Sequence, residues 1–170
     1  MARFPIGETE FKHLSTEQLL RLYAEVMEEL RVRGVVRSSN NPVADYAEWT
    51  IADRLGLKLV GGSNRGFDAT DTQGVRYQIK ARRNTVHNRS RQLSVIRNLA
   101  AKDFDFLLGV IFNESFVLQE LWKIPHACVE KYARYSKHQN GHILHLRGTL
   151  LQDQHVESLT VDAKSGSAPS

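Results

Sequence analysis

The chain has 170 residues, which fits one domain, and its 41% of hydrophobic residues is enough for one ordinary core. Charged residues at 25%, with a net charge of +4, exclude a disordered polyelectrolyte, and a lone cysteine, Cys128, excludes an internal disulfide and a cysteine-based zinc finger. No stretch approaches the roughly 20 apolar residues of a membrane span and no N-terminal run resembles a signal peptide, so a soluble cytoplasmic protein with no membrane partner is expected.

Residues 1–14 read as an extended arm or short strand. Ser15-Thr16-Glu17-Gln18 has the spacing of a capping box, in which a hydroxyl and an amide three residues on satisfy each other's backbone donors. Leu19, Leu22, Tyr23, Val26, Met27 and Leu30 then recur at helical spacing, predicting an amphipathic helix over 16–33 whose stripe faces the core. Asn41 and Pro42 open a second helix that Gly56 stops. Its stripe is Ala44, Ala47, Glu48, Ile51 and Leu55, which places the carboxylate of Glu48 at an inward position. A buried carboxylate must pair with a base, bind a metal or hold its proton. A salt bridge to a nearby Arg or Lys is therefore the simplest structural account of Glu48, and Trp49 beside it reads as core.

Leu57–Val60 is a short predicted strand. Gly61–Gly66 is a loop that lacks the Lys-Ser/Thr of a nucleotide-binding P-loop. A strand starts at Phe67-Asp68-Ala69, turns at Thr72-Gln73-Gly74 and returns through Val75–Ala81. In that return Val75, Tyr77, Ile79 and Ala81 share one face, and Gln78 and Lys80 share the other. Residues 82–92 are a polar basic loop, Ser94–Ala101 reads as a helix, and Phe104–Phe112 as a central strand covered on both faces. Phe116–Ile124 is the next strand, a helix over 126–135 follows Pro125, and His142–Leu146 is a last edge strand with its histidines on the surface. The domain spans 1–162, and residues 163–170 are a tail without large apolar residues, expected to be disordered. The sum is a single α/β domain, a mixed central β-sheet flanked by helices.

Two features carry chemistry. Between Asp71 and Asp103 there is no acidic residue, while Arg76, Lys80, Arg82, Arg83, Arg89, Arg91, Arg97 and Lys102 fall in that interval. A block of one sign points to a polyanion, because Lys and Arg gain affinity by releasing counterions from phosphates. The alternative is a solvated basic face with no partner. The second feature is convergence: Asp68 lies across a short hairpin from Gln78 and Lys80, and Glu48 faces inward nearby. An oxygen-rich pocket of this kind suits Mg²⁺, with Mn²⁺ as a substitute, and an adjacent ammonium suits a reacting phosphate. No H-E-x-x-H pair and no G-x-S-x-G elbow is present.

The run Gly66-Phe67-Asp68 followed by Gln78-Ile79-Lys80, over a chain segment of about 43–125, resembles the PD-(D/E)xK nuclease superfamily. The resemblance implies a restriction-endonuclease-like α-β-β-β-α-β core and metal-dependent hydrolysis of DNA, most simply double-stranded. It carries Asp68 over to the metal ligand, Gln78 to the second ligand position, Lys80 to the catalytic lysine and Glu48 to the accessory acid. The basic stretch, with Arg65 before it, gives Arg65, Arg82, Arg83, Asn88, Arg89 and Arg91 as candidate nucleic-acid-binding residues. Many members cut as dimers, which admits a homodimer or a partner subunit. The sequence departs from the family pattern at Gln78, where the usual residue is an acid, and in having no Pro before Asp68. The amide gives up one negative charge, which weakens metal binding and makes Glu48 more important. An inactive nucleic-acid-binding member of the same fold, and an interaction protein with an incidental basic loop, are the competing readings.

Overall fold

The computed structural model describes residues 11–61 and 66–160. The N-terminal arm before residue 11, the loop residue Arg65 and the predicted tail lie outside the described residues. A mixed six-stranded sheet with helices on it forms the body, so the α/β expectation holds at that level. No helix among the described residues is long and apolar enough to cross a membrane.

Helix α1 (Thr16–Val32) starts on the predicted capping box: Gln18 N–H donates to Ser15 Oγ at 3.2 Å and Ser15 N–H to Gln18 Oε1 at 2.7 Å. Its stripe is not core, contrary to the sequence expectation. Only Met27 is buried, and Leu19, Tyr23 and Val26 are exposed. The stripe instead borders an open apolar cavity of about 700 Å³, whose far wall includes Val36, Tyr46 and Phe116.

Helix α2 (Val43–Leu55) begins where Asn41 Oδ1 accepts the Val43 N–H at 3.1 Å. It ends at Gly56, whose φ of +63° is the left-handed conformation that closes a helix and that only glycine adopts without cost. Ala47, Ile51 and Ala52 are buried on the sheet, while Trp49 is 40% exposed and is not the core residue expected.

Strands β1 (Lys58–Leu59) and β2 (Ala69–Thr70) are two residues each and antiparallel, and β2 pairs antiparallel with β3 (Arg76–Arg83). The turn between β2 and β3 is built on Asp71, whose Oδ1 accepts the N–H groups of Gln73 and Val75 at 2.9 and 3.0 Å. β3 runs parallel to β4 (Phe106–Phe112), with Gln78 opposite Leu107 and Lys80 opposite Gly109. β4 pairs antiparallel with β5 (Leu118–Pro125). Helix α3 (His126–Tyr132) follows, shorter than expected. Arg134–Ser136 (β6) and Gly141–Ile143 (β7) form a separate hairpin. The sheet's sixth strand is Glu157–Ser158 (β8), so the predicted edge strand near His142 is not its edge. His142 and His145 are half-buried in that second layer and not on the surface as expected.

Parallel strands need a crossover, and a helix over Ser94–Ala101 was the expectation. The chain instead runs extended. Leu93 N–H donates to Leu144 O at 2.9 Å, and Ile96 and His142 exchange both backbone hydrogen bonds at 2.9 and 2.8 Å. Asn98 is left-handed at φ +50°, and only a single 3₁₀ turn, Leu99–Ala101, follows. Pairing with the β7 segment satisfies these backbone groups and overrides a marginal helical pattern that contains the β-branched Val95 and Ile96.

Each face of the sheet carries its own core. Tyr77, Ile79, Leu108, Val110, Phe112 and Leu121 pack beneath α2. Leu107, Ile111 and Ile124 pack with Leu93, Ile96, Leu99 and Leu144 from the crossover and hairpin, and with the buried Cys128.

Candidate metal and nucleic-acid site

The pleat puts Gln78 and Lys80 on the crossover face of β3, because Tyr77 and Ile79 face α2. β2 pairs only with Arg76 and Tyr77, so the outer edge of β3 has no strand partner among the described residues from Gln78 onward. Asp68 occupies that edge. Its main chain is fixed on both sides, its N–H donating to Tyr77 O at 2.8 Å and its carbonyl accepting Val60 N–H at 2.9 Å. Its Oδ2 accepts the Ile79 N–H at 2.7 Å, where a longer β2 would have supplied a carbonyl. An acid is thereby held in the sheet plane at the peptide joining Gln78 to Ile79, with Lys80 next along the strand. The second carboxylate oxygen, Oδ1, makes no hydrogen bond to a described residue.

Gln78 is 8% exposed. Its Nε2 donates to Gly66 O at 3.3 Å, and its Oε1 is buried without a hydrogen-bond partner among the described residues. Gly66 has φ +67°, and a Cβ there would stand 2.4 Å from Asp103 Cβ, so this approach requires glycine. Lys80 is half-buried and makes no ion pair with a described residue.

Glu48 is also 8% exposed and arrives from the α2 face. Arg37, in the loop after α1, pairs with it and with Asp45, the latter at 3.2 Å. Burial pushes the Glu48 carboxyl up to about 7, the Asp68 charge adds to this, and Arg37 and Lys80 oppose it. Glu48 is therefore close enough to feel the charges of Asp68 and Lys80, while its direct partner is Arg37. The salt bridge anticipated as the structural account of Glu48 is present. Arg37 itself left no sequence signal, since it meets Glu48 from a loop with no motif.

Asp68, Gln78 and Glu48 offer oxygen donors only, which suits a hard divalent cation. Two observations fit such an ion: the orphaned Gln78 Oε1, and a buried acid whose proton affinity stays raised despite an arginine. Asp68 and Gln78 are available as they stand, and Glu48 becomes available when Arg37 yields. Elsewhere among the described residues, the ligand atoms of Cys128, Asp153 and His155 lie within 4.8 Å of one another. There Asp153 already accepts from Lys131 Nζ and Tyr132 Oη, both at 2.9 Å, and these donors hold its carboxyl far below the usual range. That cluster is neutralised by an ammonium and is a brace between α3 and the C-terminal segment.

The basic stretch separates into bound and unbound cations. Arg91, expected to face nucleic acid, is already held within the fold: it pairs with Glu120 through two bonds of 2.7 and 2.6 Å and also donates to Leu146 O. Arg83 donates to Glu114 O at 2.9 and 2.6 Å and lies 4.5 Å over the Phe116 ring. Arg76 pairs with Asp105 at 2.9 Å. Arg89 and Asn88 are exposed on a tight turn in which Asn88 N–H donates to Thr85 Oγ1 at 3.1 Å. Arg82 is half-buried, its Nε buried without a partner among the described residues. Arg65 lies outside the described residues.

No protein-family model matches the chain, and no curated protein matches it significantly.

Proposed function

We propose that this chain is a metal-dependent nuclease that hydrolyses DNA phosphodiester bonds, and that Asp68, Gln78, Lys80 and Glu48 form its active site. The observation that carries the reading is the Asp68–Ile79 hydrogen bond of 2.7 Å, which fixes an acid at the unpaired edge of the strand bearing Gln78 and Lys80. The element order also supports it: α2, three strands, a crossover and a parallel fourth strand follow the order that the PD-(D/E)xK resemblance implies, with an extended crossover in place of the second helix.

Asp68 and Gln78 would hold Mg²⁺ or Mn²⁺, with Glu48 joining them. The ion supplies charge neutralisation at the phosphate and a water acidic enough to attack it. Lys80, without an acidic partner of its own among the described residues, donates to the phosphate or positions the attacking water. The exposed Arg89 and the half-buried Arg82 supply charge for duplex DNA.

A second reading is a binding protein of the same fold that has lost catalysis. Gln78 in place of an acid and the Arg37 contact on Glu48 favour it. Supercoiled plasmid incubated with wild type and Lys80→Ala, in Mg²⁺ and in Mn²⁺, separates the two. The nuclease reading expects nicking or linearisation by wild type, and DNA binding without cleavage by Lys80→Ala. Cleavage by Lys80→Ala at the wild-type rate would overturn the catalytic assignment.

A further inference from the structure

We propose that the cavity between the C-terminal half of β3 and the first turn of α2 seats one backbone phosphate of the nucleic acid, with Arg82 as its main ligand. This deepens the nuclease reading, on which it rests for the identity of the polyanion. The cavity is about 460 Å³, and Asn41, Ala44, Arg82, Thr85, Asn88 and Ser94 are among its walls.

The electrostatics of this cavity lack an anion. No acidic residue among the described residues lines it. In the acid-free interval Arg76 and Arg91 are neutralised by Asp105 and Glu120, and Arg83 is held by Glu114 O and Phe116. Arg82, which lines the cavity, has no such partner among the described residues, and its Nε is buried without a hydrogen bond to any of them. The neutral polar groups around it, from Thr85, Asn88, Ser94 and Asn41, are the companions that phosphate oxygens take in addition to a guanidinium. The first turn of α2, a helix of 13 residues, adds its positive end to the same wall. Among the described residues no aromatic side chain lines the cavity, so it suits a phosphate and not a stacked base.

Position selects nucleic acid over a free anion. Arg82 and Lys80 are two residues apart on one face of β3, a step of roughly 6.6 Å. That step is comparable to the separation of neighbouring phosphates on one strand. From Gln78 onward the outer edge of β3 has no strand partner among the described residues, and Ala81 on that edge lines the cavity. A strand whose reacting phosphate lies at Lys80 therefore brings its neighbour to Arg82.

Fluorescence anisotropy with a short DNA duplex in EDTA tests this without calling on a metal. Methylphosphonate, which is uncharged, replaces each phosphate in turn. Wild type should lose affinity when one particular phosphate is neutralised. Arg82→Gln should bind about tenfold more weakly, with a salt slope reduced by about 1, and be indifferent to that position. Arg82→Lys should keep most of the slope. Ser94→Asp, a surface change that spares the arginine, should weaken binding through repulsion. Wild-type affinity and slope in both Arg82→Gln and Ser94→Asp, or a methylphosphonate penalty that persists in Arg82→Gln, would overturn the proposal. Absence of duplex binding by wild type would do so too. Plasmid cleavage is scored separately: no cleavage with an intact Arg82 dependence removes the nuclease reading and keeps the phosphate seat.

Discussion

Asp68 and Ile79 are eleven positions apart, and the 2.7 Å hydrogen bond between the side chain of one and the main chain of the other closes the open edge of β3. Because β2 stops after Thr70, an acidic side chain does there what a strand carbonyl does elsewhere in the sheet. The bond therefore has a structural and a chemical consequence, and a variant can divide them. Asp68→Asn keeps an oxygen for the Ile79 N–H and loses the charge. It should unfold within about 1 kcal/mol of wild type, by the usual worth of a hydrogen bond, yet lose metal binding. Asp68→Ala should lose both. Thermal melts alongside Mn²⁺ calorimetry distinguish them, and equal metal binding by the Asp68→Asn variant and wild type would make Asp68 a purely structural residue.

Glu48 predicts a pH dependence in the metal-free protein. Its carboxyl is raised from 4.5 to about 7 by burial first and by Asp68 second. A raised acid holds its proton more tightly in the folded than in the unfolded state. The stability it contributes is complete below the unfolded value and is lost as pH rises through the folded one. At about 1.4 kcal/mol per unit, the loss across that window is on the order of a few kcal/mol. Glu48→Gln abolishes this titration, so its Tm relative to wild type should climb between about pH 5 and about pH 8. A difference that stays flat across this range would show that the Arg37 pair keeps Glu48 ionised throughout.

Arg91 should behave as a brace. It ties the crossover to β5 through Glu120 and to the C-terminal segment through Leu146 O. Removing it leaves Glu120 with the Trp122 indole, 2.7 Å away, as its remaining hydrogen-bond donor. Arg91→Met is expected to cost about 1–3 kcal/mol in denaturant unfolding, the penalty for a part-buried group left unsatisfied. The salt slope of DNA binding should not move. A slope lowered by about 1 would return Arg91 to the nucleic-acid interface.

The contrast between Arg91 and Asp68 shows what the sequence could disclose. The hairpin through Asp71, the shared face of Gln78 and Lys80, the inward Glu48 and the Gly56 stop all follow from local periodicity and turn chemistry, which act over a few residues. Which arginines are already paired depends on contacts between distant segments: Arg91 with Glu120 and Leu146, and Arg37 with Glu48. An acid-free interval in sequence is thus not an acid-free surface. The crossover failed for the same reason. Leu93, Val95, Ile96 and Leu99 fit a helix weakly, and the hydrogen bonds offered by Leu144 and His142 decided for extended chain. The exposed stripe of α1 was illegible because periodicity identifies an apolar face without stating what covers it.

Gly66 should be intolerant of any side chain. Its backbone is left-handed, and the Asp103 side chain fills the space a Cβ would need. Gly66→Ala is expected to cost about 2 kcal/mol or more, combining left-handed strain with the clash. Displacing the Gly66 carbonyl also frees Gln78 Nε2, so metal affinity should drop in parallel with Tm. A variant destabilised as expected but binding Mn²⁺ normally would uncouple Gly66 from the site.

Gln78 discriminates enzyme from relic most sharply. Its Oε1 is buried and unpartnered among the described residues, and the superfamily resemblance places an acid at this position. Gln78→Glu adds a charge where a metal would sit. If an ion binds there, its affinity should rise by roughly one to a few kcal/mol, because a carboxylate near a divalent ion in a partly buried site is strongly favoured. Without the ion, the new acid is buried near Asp68, so the metal-free variant should melt below wild type. Added Mn²⁺ should then stabilise the variant more than it stabilises wild type, since a ligand that binds only the folded state raises Tm with its affinity. Plasmid cleavage completes the test: a lower Mg²⁺ midpoint identifies an enzyme, and tight metal binding without cleavage identifies a relic. Calorimetry in which wild type, Gln78→Glu and Asp68→Ala bind Mn²⁺ with the same weak affinity would remove the metal site and the catalytic reading that depends on it.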